Sequence, residues 1–160
     1  MIFITLGSQK FQFDRLLKAV DNLVENGIIT EEVFAQTGYS NYVPQHYKYK
    51  AFLDRSEYAE AEANADLVLT HGGTGAIIGA VKEGKKVIAV PRLAKYGEHV
   101  DDHQVQLLKQ FEKMNIISVC YDTDKLGECY TETKTKVFNK YKSNSSAIIE
   151  SIEEFLEENM

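Results

Sequence analysis

The stretch LVLTHGGTGAIIGAVKEG, residues 67–84, decides the fold of this chain. It begins with a short apolar run typical of a buried strand and ends in a helical pattern, with a glycine-rich turn between the two. The turn, His71 to Gly75, contains three of the ten glycines in the chain. Because glycine lets the backbone bend sharply and approach other groups closely, we predict a tight strand-to-helix turn here.

The same alternation of a short β-branched run and a longer amphipathic stretch continues on both sides of the turn. This alternation is typical of a parallel sheet with crossover helices. We therefore predict a single α/β domain over residues 1–160, a doubly wound, Rossmann-like parallel sheet of about six strands. The predicted strands are 2–6, 32–38, 48–53, 66–70, 86–90 and 116–120, and the predicted helices are 13–27, 56–65, 74–83, 101–114 and 143–158.

Two hydroxyl side chains are predicted to cap helices, Ser56 for the helix at 56–65 and Thr74 for the helix at 74–83, because a hydroxyl accepts from the amides at a helix start. Pro91 ends its strand, and a long loop is predicted to follow it.

The tyrosine-rich segment 39–49 contains Tyr39, Tyr42, His46, Tyr47 and Tyr49. Aromatic residues of this kind suit a partner interface, but packing on their own domain is the commoner case and is the interpretation we favour.

Composition excludes several classes of function. The net charge is -6 and no basic stripe is present, so we expect no nucleic-acid partner. The two cysteines, Cys120 and Cys129, have neither metal-ligand spacing nor a disulfide pattern, which suits a reducing cytoplasm. The opening MIFITLGS has no basic region and too few apolar residues for a signal peptide or a membrane span, so we expect a cytoplasmic protein.

The glycine turn suits a diphosphate. Ligands of open parallel sheets bind beyond the carboxyl ends of the strands, and His71–Gly75 is predicted to lie there. Exposed amide groups and the positive end of the following helix favour an oxyanion, and the Thr74 hydroxyl is a further donor. A merely tight connection is the alternative, since neither GxxxxGK[ST] nor GxGxxG is present.

A second polar cluster is EHVDDHQ, residues 98–104. Its histidines and carboxylates allow a metal site, but no second pair of ligands is evident elsewhere, so we expect no metal. Amide and carboxylate side chains at a helix start are better suited to the vicinal hydroxyls of a sugar. A diphosphate site and a hydroxyl site at one edge of a sheet together indicate a nucleotide-sugar.

Three motifs in this order, THGGTG (70–75), GKKVIAVPR (84–92) and HVDDHQVQLL (99–108), resemble the C-terminal, donor-binding domain of GT-B glycosyltransferases. With the opening IFITLGSQKFQFDRLLKAVD, they are most similar to small soluble subunits of two-component enzymes. These are the dolichol-pathway N-acetylglucosaminyltransferase and the galactosyltransferases of bacterial capsule and exopolysaccharide clusters. The resemblance covers nearly the whole chain.

The resemblance implies which residues bind the donor. The diphosphate is expected at Gly7, Ser8, His71, Gly72, Gly73, Thr74 and Gly75, and the donor sugar at Glu98, His99, His103 and Gln104. One position departs from the pattern. The bacterial transferase that makes lipid II, another member of the resembling group, has a ribose-binding glutamate where this chain has Gly79, and Glu83 lies about one helical turn further on. No catalytic residue is assigned, because the general base is expected from the acceptor side.

The resemblance also implies half of a GT-B fold, with a membrane-anchored glycosyltransferase subunit supplying the acceptor half. That partner would bring this hexosyltransferase subunit, inactive or weakly active alone, to a lipid-linked acceptor at the inner face of the cell membrane. The expected donor is UDP-galactose or UDP-N-acetylglucosamine, with no cofactor, and the isolated chain could pair as a homodimer. The alternatives are a non-catalytic subunit that enhances its partner, and a free-standing nucleotide-binding module.

Overall fold

The computed structural model describes residues 1–6, 11–93 and 103–139, except for the side chains of residues 103 and 104. Six strands are present in these ranges: β1 Ile2–Thr5, β2 Val33–Gln36, β3 Lys48–Lys50, β4 Leu67–Thr70, β5 Lys86–Ala89 and β6 Ser118–Val119. The α-helices in the same ranges are α1 Asp14–Glu25, α2 Arg55–Asn64, α3 Thr74–Lys82, α4 His103–Lys113 and α5 Leu126–Thr135.

The strands form one parallel sheet in the order β3-β2-β1-β4-β5-β6. This order places β1 and β4 side by side at the centre, with Thr5 opposite Thr70. The chain reverses its direction of winding between these two strands, and such a switch point is where open sheets of this kind bind ligands. The predicted doubly wound, Rossmann-like sheet of six strands is therefore confirmed.

The two faces of the sheet are covered by different helices. Ile2 and Ile4 pack toward α1 and α5, whereas Phe3 between them packs in the core formed with α2, α3 and α4. Successive side chains of a strand point to opposite faces, so one central strand contributes to both layers. Burial on both faces explains why the central strands β1, β4 and β5 have nearly continuous apolar sequences.

Helix α1 forms because its apolar residues recur on one face. Leu16, Leu17 and Val20 are buried against the sheet, and Leu23 and Val24 pack at the edge of the same core. Gly27 follows the helix with a φ of 76°, a left-handed conformation that glycine adopts without strain. The helix predicted over 13–27 is therefore confirmed.

Both predicted helix caps are wrong. The cap of α2 is Asp54 rather than Ser56: the Asp54 carboxylate accepts from the Glu57 amide at 2.8 Å, and Glu57 accepts in return from the Asp54 amide. The cap of α3 is Gly73 rather than Thr74, and no side chain bonds to its first amides in the described part of the chain. A capping box outcompetes Ser56 because it satisfies two amides at once.

The segment from 123 onward also differs from the prediction. A 3-10 turn at Thr123–Lys125 leads into α5, for which the sequence analysis predicted no element. Leu126, Tyr130 and Thr133 of α5 are buried, and the Thr133 hydroxyl donates to that of Ser118 in β6 at 2.8 Å. The predicted helix at 143–158 lies outside the described residues. Within the described ranges, no helix has the length and apolarity needed to cross a bilayer.

Candidate functional site

The glycine turn lies at the carboxyl end of β4, the central strand on the switch point. Its first anchor is Thr70, which is fully buried and donates its hydroxyl to the Thr5 carbonyl of β1 at 3.0 Å. The Thr70 carbonyl accepts from the Val90 amide beyond β5 at 2.8 Å. His71 follows and is also buried. The turn therefore starts from a position bonded to both neighbouring strands.

Gly73 is the glycine that the packing requires. A Cβ placed there would lie 2.4 Å from Cε1 and 2.8 Å from Nε2 of His71, closer than any real contact allows. Its φ of −75° is ordinary, so the requirement is for space rather than for an unusual backbone conformation. A Cβ on Gly75 would meet nothing within 4 Å. The close approach that the structure shows at Gly73 is between its backbone and the His71 imidazole ring.

Thr74 is the first residue of α3, and its hydroxyl does not cap the helix. The Oγ1 atom is buried, and no hydrogen-bond partner for it occurs among the described residues. A buried hydroxyl that makes no bond costs free energy, so its persistence at a helix start suggests a ligand group in this position. The first amides of any helix lack intrahelical acceptors and point along the axis, which adds donors at the same place.

A buried arginine, absent from the predicted site, lies at the same edge of the sheet. Arg92 is 1% exposed, and its Nη2 donates to the Leu6 carbonyl at 2.6 Å. Its Nη1 donates to the carbonyls of Phe11 at 2.7 Å and Gln12 at 3.3 Å. The guanidinium also lies over the Phe13 ring, 5.2 Å from its centroid. The sequence contained a signal for this position. Arg92 follows Pro91 directly after a predicted strand, and so lies at the edge of the sheet where the predicted sites meet.

Residues 1–158 match the family model described as "Glycosyltransferase family 28 C-terminal domain". The chain belongs to this family. A GT-B glycosyltransferase C-terminal domain, the family expected from the motif order, is therefore confirmed.

Solved structures show the same fold. The family 28 domain is similar to the crystal structure of Acinetobacter baumannii MurG, with 18% identity and a TM-score of 0.57 over 82% of this chain and 41% of MurG. It is similar to the glycotransferase of kitacinnamycin, with 16% identity and a TM-score of 0.61 over 84% of this chain and 35% of the other. The ALG13 solution structure has 14% identity and a TM-score of 0.60, with 92% of this chain and 93% of ALG13 covered.

These similarities differ in extent. The chain spans about two fifths of MurG and about a third of the kitacinnamycin glycotransferase, whereas it and ALG13 match over nearly their full lengths. No curated protein matches the chain. At identities below a fifth, the structures show that the half GT-B fold is shared.

The structure brings together only part of the predicted donor site of the family 28 domain. His71, Gly72 and Gly73 connect β4 to α3, and Thr74 and Gly75 are the first two residues of α3. His103 and Gln104 begin α4, whose start lies at the carboxyl edge because α4 leads back to the parallel strand β6. The remaining predicted residues lie outside the described ranges: Gly7, Ser8, Glu98 and His99.

Helix α3 also contains Gly79, the position at which the resemblance places a ribose-binding acid. Gly79 lies in the middle of the helix, and a Cβ there would meet nothing within 4 Å, so a longer side chain has room. Glu83 follows the last residue of α3 and is exposed at the opposite end of the helix from the glycine turn. A nine-residue helix is about 13 Å long, so Glu83 lies far from the glycine turn.

Within the described ranges, no cluster of three metal-ligating side chains is present, and most of the segment 98–104 lies outside them. The five glycine-turn residues and the start of α4 are therefore the part of the candidate site whose placement is known. Their chemistry is that of hydrogen-bond donation from amides and a hydroxyl, which is the chemistry that binds anions.

The tyrosine-rich segment packs largely on its own domain, as favoured by the sequence analysis. The Tyr42 hydroxyl donates to Asp21 at 2.6 Å, and the Tyr47 hydroxyl donates to the Leu17 carbonyl at 2.8 Å. Tyr39 and Tyr49 are exposed, and Tyr39 makes an edge contact with the Phe52 ring, with centroids 5.2 Å apart. The segment is thus anchored on α1 by two of its tyrosines and exposes the other two.

Proposed function

We propose that the chain is the donor-binding subunit of a two-component glycosyltransferase that uses a UDP-sugar, with UDP-galactose and UDP-N-acetylglucosamine as the first candidates. The sugar is transferred to a lipid-linked saccharide in bacterial capsule or exopolysaccharide synthesis. Membership of glycosyltransferase family 28 supports the reaction class. The donor, acceptor and pathway rest on the resemblance of the three sequence motifs.

The observation that carries the proposal is the buried Thr74 hydroxyl at the start of α3, which has no hydrogen-bond partner in the described part of the chain. Gly73 lets the backbone beside it lie directly against His71. A diphosphate oxygen at this point would accept from the hydroxyl and from the first amides of α3, and it would lie at the positive end of the helix.

The proposed chemistry follows from this placement. When the bond between the anomeric carbon and the diphosphate breaks, negative charge develops on the departing UDP oxygen. Donors positioned at that oxygen stabilise the charge without reorganisation, which lowers the barrier to transfer. The acceptor hydroxyl must lose its proton to a general base as it attacks, and we assign that base to the partner.

The proposed partner is a membrane-anchored subunit that contributes the acceptor side of the cleft and recruits this chain to the inner face of the cell membrane. GT-B enzymes place the donor between two facing domains, and this chain provides one of them. The ALG13 structure, which matches over 93% of its length, is a domain of nearly the same extent. Co-purification of the chain with a co-expressed candidate partner tests this part of the proposal.

Calorimetric titration with UDP, UDP-galactose and UDP-N-acetylglucosamine tests donor binding. We expect micromolar binding to the native chain and about tenfold weaker binding to Thr74→Val, which removes one hydrogen-bond donor and keeps the side-chain shape. Thr131→Val is the matched control, because Thr131 lies exposed on α5 and bonds only within its own helix in the described structure. Equal affinity of the native chain and Thr74→Val would contradict the proposed site.

Gly79 favours a second candidate, a non-catalytic subunit that enhances a partner which binds the donor itself. Without a ribose-binding acid, the chain alone holds uridine less firmly. The variant Gly79→Glu restores the acid in open space on α3. Tighter UDP binding by Gly79→Glu supports a donor site that lacks one contact, whereas no UDP binding by either form, alone or with the partner, supports the enhancer.

A further inference from the structure

Arg92 joins three backbone segments at the carboxyl edge of the sheet. It follows β5, and its two terminal nitrogens bond to Leu6, just after β1, and to Phe11 and Gln12, just before α1. These carbonyls are 80 to 86 residues away in sequence. The aliphatic part and the guanidinium plane are enclosed, since the residue is 1% exposed and lies over Phe13.

The position of β4 makes this contact relevant to the glycine turn. In the sheet order, β4 lies between β1 and β5. A side chain that starts beyond β5 and bonds to the backbone beyond β1 therefore crosses the carboxyl end of β4. The turn from His71 to Gly75 begins at that end. Arg92 thus links the two connections that border the turn on either side.

The chemistry of the side chain suits this linkage. Arginine presents its donors in a rigid planar fork, so one group can satisfy several carbonyls at fixed angles. A lysine has the same charge, but its single ammonium group on a flexible stem cannot reproduce the fork. A second arginine strengthens the arrangement: the guanidinium of Arg15 in α1 also lies over the Phe13 ring, 5.4 Å from its centroid, and donates to the Pro91 carbonyl at 3.2 Å.

We infer that Arg92 is a positioning residue for donor binding, which holds the backbone at Leu6, Phe11 and Gln12 against the end of β5 so that the glycine turn keeps its geometry. This inference rests on the proposed function for its effect on the donor. The claim that Arg92 holds these backbone segments together rests only on its hydrogen bonds. In this role the residue acts through the backbone carbonyls that it binds.

The test compares Arg92→Lys with Arg55→Lys in the full chain. Arg55 is exposed at the start of α2 and serves as the matched control. We expect Arg92→Lys to bind UDP at least about tenfold more weakly at a temperature well below its Tm, where both variants are folded. A merely structural role would lower the Tm and leave the UDP affinity in the folded state unchanged, and that result would overturn the inference.

Two further readouts separate this inference from the proposed function. Hydrogen exchange should become faster in Arg92→Lys at the amides of Phe13 and Asp14, which are bonded in the native chain to Ser40 and Gln12, and at the glycine turn. Exchange in α5 should not change. Added guanidinium ion should restore slow exchange in Arg92→Ala, whereas equal ionic strength of sodium chloride should not.

The exchange result decides the case even if the native chain binds no UDP. In that event the proposed function fails, and faster exchange confined to the turn and the β1–α1 connection still supports positioning by Arg92. Unchanged exchange at the glycine turn, or equal loss of protection across the whole sheet, overturns the inference whatever the UDP titration shows.

Discussion

At the scale of single residues, the glycine turn shows that glycines of one motif have different roles. A Cβ at Gly73, which caps α3, would overlap the His71 ring, whereas one at Gly79 within α3 would meet open space. Gly73→Ala should therefore lower the free energy of unfolding by about 1–3 kcal/mol, because the ring or the backbone must move. Gly79→Ala should raise it by about 0.5–1 kcal/mol through helix propensity. Urea unfolding of both variants measures the contrast, and equal changes would contradict the packing argument.

Thr74 is the residue at which stability and binding should change in opposite directions. Because its buried hydroxyl has no partner in the described part of the chain, Thr74→Val removes an unsatisfied polar group and should raise the free energy of unfolding by about 1 kcal/mol. The same variant should bind UDP more weakly. Thermal unfolding with and without UDP measures both effects. A less stable Thr74→Val would mean that the hydroxyl makes a stabilising bond in the folded chain.

At the scale of elements, α1 carries a buried carboxylate that organises the tyrosine-rich segment. Asp21 accepts from the Tyr42 hydroxyl and from the amides of Gln45 and His46, at 2.6 to 2.8 Å. Burial alone would raise the pKa of Asp21, but these hydrogen bonds together outweigh it and lower the pKa below its usual value. The hydrogen bond between the Tyr42 hydroxyl and Asp21 raises the pKa of Tyr42 to about 12. The charged form of Asp21 is therefore the one that holds the segment.

The stability due to Asp21 should depend on pH. Because its pKa is lower in the folded chain than in the unfolded chain, the stabilisation is complete above the unfolded value of about 4 and is lost as the pH falls through the folded value. Asp21→Asn should cost about 1.5–3 kcal/mol at pH 7 and progressively less as the pH falls below about 4. Urea unfolding across this range measures the difference. Glu128→Gln, at an exposed position of α5, should leave the profile unchanged, and a pH-independent cost of Asp21→Asn would contradict the assignment.

The elements also show where sequence patterns have limited power. The central strands β1, β4 and β5 and helix α1 were predictable because their apolar residues form runs or recur with a clear period. Helix α5 was missed because its buried residues, Leu126, Tyr130 and Thr133, include a tyrosine and a threonine among polar neighbours. Their spacing is helical, but only contact with β6 makes Thr133 an interior residue. The cap of α2 was misassigned for a similar reason, since Asp54 and Ser56 are both good caps by composition.

At the scale of the whole molecule, the sheet separates two cores that share strands but not side chains. Ile4 belongs to the core under α1 and α5, and Ile77 to the core under α2, α3 and α4. Ile4→Val and Ile77→Val should each cost about 0.5–1.5 kcal/mol of unfolding free energy. In the double variant the two costs should add to within about 0.5 kcal/mol, because the sites have no common neighbours across the sheet. Urea unfolding of the three variants measures the coupling, and a larger coupling would mean that strain passes through β1 and β4.

The sequence by itself determined the class of fold, the central glycine turn at the carboxyl end of a buried strand, and the family. These features depend on local periodicity and on motif order, which are fixed by neighbouring residues. Only the tertiary structure decided that Gly73 is the glycine required for space, that Asp21 anchors the tyrosine-rich segment, and that Arg92 joins the ends of β1 and β5. The physical reason is that each of these roles depends on how closely atoms approach one another through packing, for Asp21 and Arg92 across long stretches of chain, and no local pattern specifies such a distance.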